Sequence, residues 1–348
     1  MRNERTLAGI VAGVLAFSLI AAACGSDSNN DAGSSGTGTG ATGSLSGSIT
    51  VSGSSTVLPI SNLVAELFSQ QNPDVQVSVD GPGTGDGFVL FCKGETDISD
   101  ASRPIADDEK KACSDAGIDY VELPVAFDGI TVMTNPQDSV ITCLNSGDLY
   151  ALFGPESEGI KTWADADALA RKVGGNDGFP DAPLEITAPG AESGTYDAFI
   201  ELSGITDIAI ERGLSEDKAA TLRPDYQSSP DDNVIIQAME GSASALGFVG
   251  FAYAEGAADQ IKIIQVDGGS GCVEPTRDTI ADGSYPLSRT LYIYVNKAKI
   301  SSNPAMKAFV DLYLSDDGIK SSVQTAGYVD LPDDQIAASR STWDSASA

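Results

Sequence analysis

Apolar residues recur along this chain with two periods, and the alternation of those periods sets the expected fold. Ile49 and Val51 lie two apart and predict a strand. Ile60, Leu63, Val64, Leu67 and Phe68 follow at helical spacing and form one apolar stripe, which Pro73 stops. Val75, Val77 and Val79 alternate again as a strand. A glycine-rich turn over Gly81 to Gly87 leads into a helical segment carrying Phe88, Leu90 and Phe91. Ile98 marks a short strand, Asp107 to Ala116 a polar helix, and Val121 to Leu123 and Ile130 to Met133 two further strands. The middle of the chain repeats the rhythm. Helices are expected at Leu149 to Phe153, Tyr196 to Leu202 and after Asp231 or Asp232, with strands at Leu184 to Ile186, Ala245 to Phe251, Ile261 to Val266 and Leu291 to Val295. Pro304 opens a helix with Met306, Phe309, Val310 and Tyr313 on one face. Strands alternating with helices predict an α/β fold with a mainly parallel sheet.

The first residues follow a different logic. Arg2 and Arg5 precede an uncharged apolar run from Leu7 to Ala22, and Ala21-Ala22-Ala23-Cys24 follows. This is the pattern of a secretory signal, and a cysteine directly after small residues resembles a lipoprotein signal over residues 1–23, with Cys24 lipidated. Ordinary cleavage leaving Cys24 free is the alternative. Residues 24–45 are Gly, Ser, Thr, Ala, Asn and Asp with almost nothing to bury, so they predict a flexible tether of roughly 25 Å. No second apolar run is long enough to cross a bilayer.

Charge and composition narrow the chemistry. Of 348 residues, 50 are acidic and 20 basic, for a net charge of −30, which excludes a nucleic-acid binder held by a basic surface. The absence of histidine removes Ser-His-Asp and Cys-His catalysis and the usual His-based metal sites. Cys92, Cys113, Cys143 and Cys272 remain beside Cys24, an even number in an exported chain, and read as two disulfides. Three pairings are possible; Cys92–Cys113 and Cys143–Cys272 are preferred. No CxxC spacing supports a metal site, and no cofactor is implied.

Three segments share one physical theme. Gly53-Ser54-Ser55-Thr56, Gly83-Thr84-Gly85-Asp86-Gly87 and Glu192-Ser193-Gly194-Thr195 each end a strand and open a helix with small hydroxyl residues and glycine. A helix start presents free N–H groups and a partial positive charge, hydroxyls add donors, and glycine lets the main chain come close. Any one of them is ordinarily an N-cap; three together point to an oxyanion. A fourth segment, Asp97 to Pro104, carries Arg103, whose planar fork can grip an oxyanion with two hydrogen bonds or form a structural ion pair. No Gly-Lys-Ser/Thr follows any of these glycines, so none is a P-loop.

Taken in order, Gly53-Ser-Ser-Thr-Val-Leu-Pro59, the glycine turn ending in Phe88, Gly94-Glu-Thr-Asp-Ile-Ser-Asp-Ala-Ser-Arg-Pro104 and Glu192-Ser-Gly-Thr195 resemble the substrate-binding proteins of phosphate ABC transporters, the PstS family. The likeness extends through Leu149 to Trp163, Asp231-Asp-Asn233, Tyr285-Pro-Leu-Ser-Arg289 and Gly327-Tyr328, and covers nearly all of residues 46–340. It implies a two-lobe periplasmic-binding-protein type II fold that closes over phosphate by a hinge of crossing strands, with lobe 1 at 46–127 plus 288–348 and lobe 2 at 128–287. Ser55, Thr56, Thr84, Gly85 and Ser102 would bind from one lobe, and Ser193, Gly194 and Thr195 from the other. Two positions depart from the pattern: Ser102 stands where many relatives have aspartate, and Pro189 where an arginine often precedes Ser-Gly-Thr. Arg103 is expected to supply the missing cation. A carboxylate that accepts the ligand's proton would favour hydrogen phosphate over sulfate. Asp128 is the first choice, ahead of Asp100 and Glu192, although Asp128 could instead only hold Arg103. The resemblance implies a non-enzymatic, monomeric binding protein, lipid-anchored at the outer face of the cytoplasmic membrane and served by ABC permease subunits. Another oxyanion such as sulfate or molybdate, or a phosphatase, is the alternative.

Overall fold

The computed structural model describes residues 45–191 and 193–348. The expected signal peptide, Cys24, the tether and Glu192 lie outside them. The described chain from Leu45 onward belongs to one compact unit. Its strands are β1 (Gly47–Gly53), β2 (Val75–Asp80), β3 (Ile98–Ala101), β4 (Tyr120–Thr134), β5 (Cys143–Asn145), β6 (Glu185–Ala188), β7 (Gln227–Ser228), β8 (Ala245–Gly250), β9 (Lys262–Asp267), β10 (Cys272–Val273) and β11 (Ser288–Asn296). They are ordered β2-β1-β3-β11-β4-β8-β6-β7, with β9 joining β4 to β5 and β10. Pairings are parallel for β1 with β2 and β3 and for β6 with β7 and β8. They turn antiparallel where β11 and β4 cross the middle. The α/β fold is as expected.

Strand β4 departs from the expected pair of strands. Residues 121–123 and 130–133 belong to one strand of 15 residues. Its first part pairs with β11 and its second with β8 and β9. From Val125 onward every residue is buried, so the period-two alternation that marks a half-exposed strand is lost. Pro124 is accommodated beside a register shift between Leu291 and Tyr292 of the partner strand.

Helix α1 (Leu58–Gln71) buries Ile60, Val64 and Phe68 against the sheet, while Leu63 and Leu67 are only half-buried and Ser61 and Ala65 take the inner positions. Burying each large apolar side chain contributes about 1.5–3 kcal/mol. Phe68 meets Phe309 edge-on, ring centres 5.5 Å apart, which joins α1 to the helix Pro304–Tyr313. Helices α2 (Thr84–Cys92) and α3 (Asp107–Asp115) are tied by Cys92–Cys113, and β5 is tied to β10 by Cys143–Cys272. Both pairings are the preferred ones, and each closes a loop that contributes about 3–5 kcal/mol in the chain-entropy account. Helices α4 (Ser146–Phe153), α5 (Trp163–Ala170) and α6 (Gly194–Leu202) follow in the middle of the chain. The last helix, Asp333–Ser347, carries no regular apolar stripe; only Ile336 and Trp343 among its large apolar residues are buried, so hydrophobic periodicity gives little sign of it.

Candidate functional site

The β1–α1 connection is built by a small division of labour. The Ser54 hydroxyl accepts hydrogen bonds from the N–H groups of Thr56 and Val57, at 3.1 and 3.3 Å, and so does the capping. Ser55 and Thr56 are left free of that capping role and line the cavity described below, Thr56 almost wholly buried. The start of α2 is drawn in by close backbone approach. A side chain at Gly87 would place its Cβ 2.4 Å from Gly53 Cα, so only two glycines allow α2 to sit directly on the end of β1. The Ser102 N–H donates to Thr84 Oγ1 at 3.2 Å, and the two hydroxyls lie 3.1 Å apart, which fixes the end of β3 against α2. Ser193 caps α6 by accepting from the Thr195 N–H at 3.2 Å. Gly194 brings α6 against the first connection, a built Cβ lying 3.5 Å from Ser55 O and Thr56 Cα.

These segments enclose a cavity of about 230 Å³ lined by Ser54, Ser55, Thr56, Gly83, Thr84, Gly85, Ser102, Arg103, Asp197, Glu201 and Arg289. That volume is below the range of drug-sized ligand sites and suits a small anion. Six expected residues line it: Ser55, Thr56, Thr84, Gly85, Ser102 and Arg103. Ser193, Gly194 and Thr195 form the start of the helix whose Asp197 and Glu201 line it. A larger cavity, about 440 Å³, lies beside Tyr196 and Arg223, but Arg223 is committed to Asp225 and to the carbonyls of Leu152 and Ile160.

Two guanidiniums reach the cavity, and they are held differently. Arg103 donates to both carboxylate oxygens of Glu109, each at 2.8 Å, and lies 5.9 Å from the centre of the Phe88 ring. Its bidentate fork, expected to face an anion, is therefore engaged by a residue six positions on. Arg289 is given no role by the sequence pattern alone. It donates through Nε to Asp128 at 3.2 Å, through Nη1 to Glu201 at 2.5 Å and through Nη2 to Thr56 Oγ1 at 2.9 Å. Asp128 stands directly opposite Arg289 in the β4–β11 register. It positions Arg289, not Arg103, and it is not among the cavity-lining residues. Burial pushes its carboxyl up and the Arg289 charge opposes this.

Asp197 and Glu201 were also missed. They are four apart on α6 and so share a face, a spacing that could have flagged them once the helix start was suspected. Burial raises the Asp197 carboxyl, Arg289 and the Ser55 hydroxyl pull it down, and Glu201 adds to the rise. Asp100, an alternative proton acceptor, is fully buried behind the site, on the strand that pairs with Gly53. Neither of its oxygens has a partner at hydrogen-bond distance among the described residues. Burial pushes it up to about 7, with the Ser61 hydroxyl moderating the shift and Asp80 adding to it. Among the described residues no cluster of carboxylates and cysteines could hold a metal ion, and no helix is long and apolar enough to cross a membrane.

The chain has clear relatives. A profile described as a PBP superfamily domain matches residues 35–317. Protein SphX of Synechocystis is 41% identical over 288 residues, covering 82% of this chain and 79% of its own length. The phosphate-binding protein PstS of Staphylococcus saprophyticus is 35% identical over 316 residues, covering 90% and 87%. Among solved structures, a possible phosphate binding protein from Planctomyces limnophilus superposes with a TM-score of 0.77 at 35% identity, over 87% of this chain and 99% of that one. An ABC-type phosphate transport receptor from Vibrio cholerae gives 0.56 at 27% identity, over 82% and 100%. Fold and sequence agree, and the chain belongs to the PBP superfamily, in the PstS and SphX family of substrate-binding proteins.

Proposed function

We propose that this protein captures inorganic phosphate outside the cytoplasmic membrane and hands it to an ABC permease. The observation that carries the reading is the meeting of Ser55 and Thr56, Thr84 and Gly85, and Ser102 around one cavity of about 230 Å³ with Arg289 beside them. The named phosphate-binding relatives support the choice of anion. In this reading the hydroxyls and helix-start amides hold the oxygens, Ser193, Gly194 and Thr195 add donors from α6, and Arg289 supplies the cation. Arg103 reinforces the rim and grips the anion with both nitrogens only by leaving Glu109. Residues 46–127 with 288–348 form one lobe and 128–287 the other, and closure about β4 and β11 is the only step; no bond is made or broken. Cys24 carries a lipid anchor that holds a monomer at the outer face of the cytoplasmic membrane. The net charge of −30 does not forbid anion binding. Surface charges are screened beyond about 8–10 Å, whereas donors in the cleft act at about 3 Å in a lower dielectric.

A thermal-shift series tests this. Phosphate at 100 times its dissociation constant stabilises by about 2.7 kcal/mol, and sulfate and molybdate at equal concentration shift the midpoint little. Equal shifts with all three would remove phosphate as the preferred anion, and release of phosphate from an ester would favour a phosphatase.

A further inference from the structure

We infer that Glu201 is an internal competitor for the anion: its carboxylate holds the Arg289 Nη1 that an incoming oxyanion must take over. The inference rests on the anion-binding reading above and adds what sets the affinity. Arg289 has three partners, and they are not alike. Asp128 and Thr56 are almost wholly buried, the Asp128 side chain 5% exposed and Thr56 3%, and they hold Nε and Nη2 in place. The Glu201 side chain is 57% exposed, although it reaches Nη1 at 2.5 Å. Among the described residues its carboxylate has no hydrogen-bond partner besides Arg289, so it can turn out to solvent while Asp128 and Thr56 keep the guanidinium aimed at the cavity.

Electrostatics favour that exchange. The cavity is lined by Arg103 and Arg289 against Asp197 and Glu201, so its lining charges already cancel. A dianion entering with Glu201 seated would add to two carboxylates, one of which already feels the other: Glu201 raises the Asp197 carboxyl. Swinging Glu201 out removes one negative charge and frees a charged donor in the same step. Asp197 is exposed as well, but among the described residues it makes no ion pair with Arg289, so turning it outward would free no donor. Measured affinity is then the intrinsic affinity for the site multiplied by the fraction of molecules in which Nη1 is free. A competitor of this kind weakens every oxyanion that uses Nη1 by one common factor.

The test is calorimetric titration of the full chain with phosphate and with arsenate, for wild type, Glu201→Gln and Glu201→Ala. Both variants are expected to bind phosphate about three- to tenfold more tightly, the range of a partly exposed ion pair. The phosphate-to-arsenate ratio should stay at the wild-type value. The thermal midpoint without added anion should stay level or fall slightly in both variants, which separates tighter binding from general stiffening. Unchanged or weaker phosphate binding in both variants overturns the inference; weaker binding would place Glu201 in contact with the ligand. Loss of all oxyanion binding by the wild type would remove the function and the inference together, whereas binding by the wild type with no gain in the variants removes the inference alone.

Discussion

The two arginines of the cavity make opposite use of the fold. Arg103 follows β3 on a connecting segment, its side chain is 37% exposed, and its carboxylate partner is six residues on in the first turn of α3. Arg289 sits on the crossing strand β11 with 8% of its side chain exposed, and its partners come from β4, from the β1–α1 connection and from α6. The first is a local pair that the chain could form with little else folded. The second exists only when segments more than 200 residues apart in sequence have assembled, since Thr56 and Arg289 are separated by 233 positions. Such a residue reports on the whole fold, and its energetic weight should be correspondingly larger.

The strongest way to break this contrast is Arg289→Ala. It strands Asp128, a buried carboxylate, without its cation, and is expected to cost about 3–5 kcal/mol of stability in urea unfolding. Phosphate affinity in calorimetry should fall by about a hundredfold at a pH where the variant remains folded. A loss below fivefold would show that Arg289 is structural only.

The same contrast can be sharpened among carboxylates. Asp128 is buried with a guanidinium; Asp100 is buried without a hydrogen-bond partner among the described residues and is pushed up to about 7. A raised carboxyl binds its proton more tightly in the folded chain than in the unfolded one. Its stabilising contribution is therefore full below about pH 4 and is lost as pH rises through about 7. The shift from 3.8 to about 7 bounds that loss at about 4 kcal/mol. Asp100→Asn should flatten the fall in stability between pH 5 and 8, and an unchanged slope would show that the fall arises elsewhere.

Arg103→Ala is the smallest expected effect. A half-exposed pair whose partner lies six residues along the chain should cost below about 1 kcal/mol in stability and less than tenfold in phosphate affinity. A loss matching that of Arg289→Ala would restore the direct two-pronged grip expected from the sequence.

The legible part of the molecule was written in short-range patterns and in the cysteine count. Helix α1 follows from its stripe, the helix starts from hydroxyls and glycines, and the two disulfides from four cysteines in an exported chain. Arg289, Asp197 and Glu201 were not legible in that way. Hydroxyl-and-glycine segments mark where a helix begins, but they say nothing of which distant side chain reaches across to them. The assignment of Asp128 shows the same limit: a role in holding an arginine was weighed, but for Arg103 and not Arg289, because cross-strand register is set by the β4–β11 pairing and not by sequence proximity. The continuity of β4 was hidden for a simpler reason, since a strand buried on both faces has no alternation to read.

The placement of the two cystine bridges has a mechanical consequence. One crosslinks α3 to α2, which packs beside β1 and β3; the other crosslinks β5 to β10, which flank β9. Neither spans the crossing strands β4 and β11. Oxidation therefore stiffens the α2–α3 region on one side and the strands around β9 on the other while leaving β4 and β11 themselves unbraced, so a reductant should make both regions easier to melt without changing how far the molecule can flex between them.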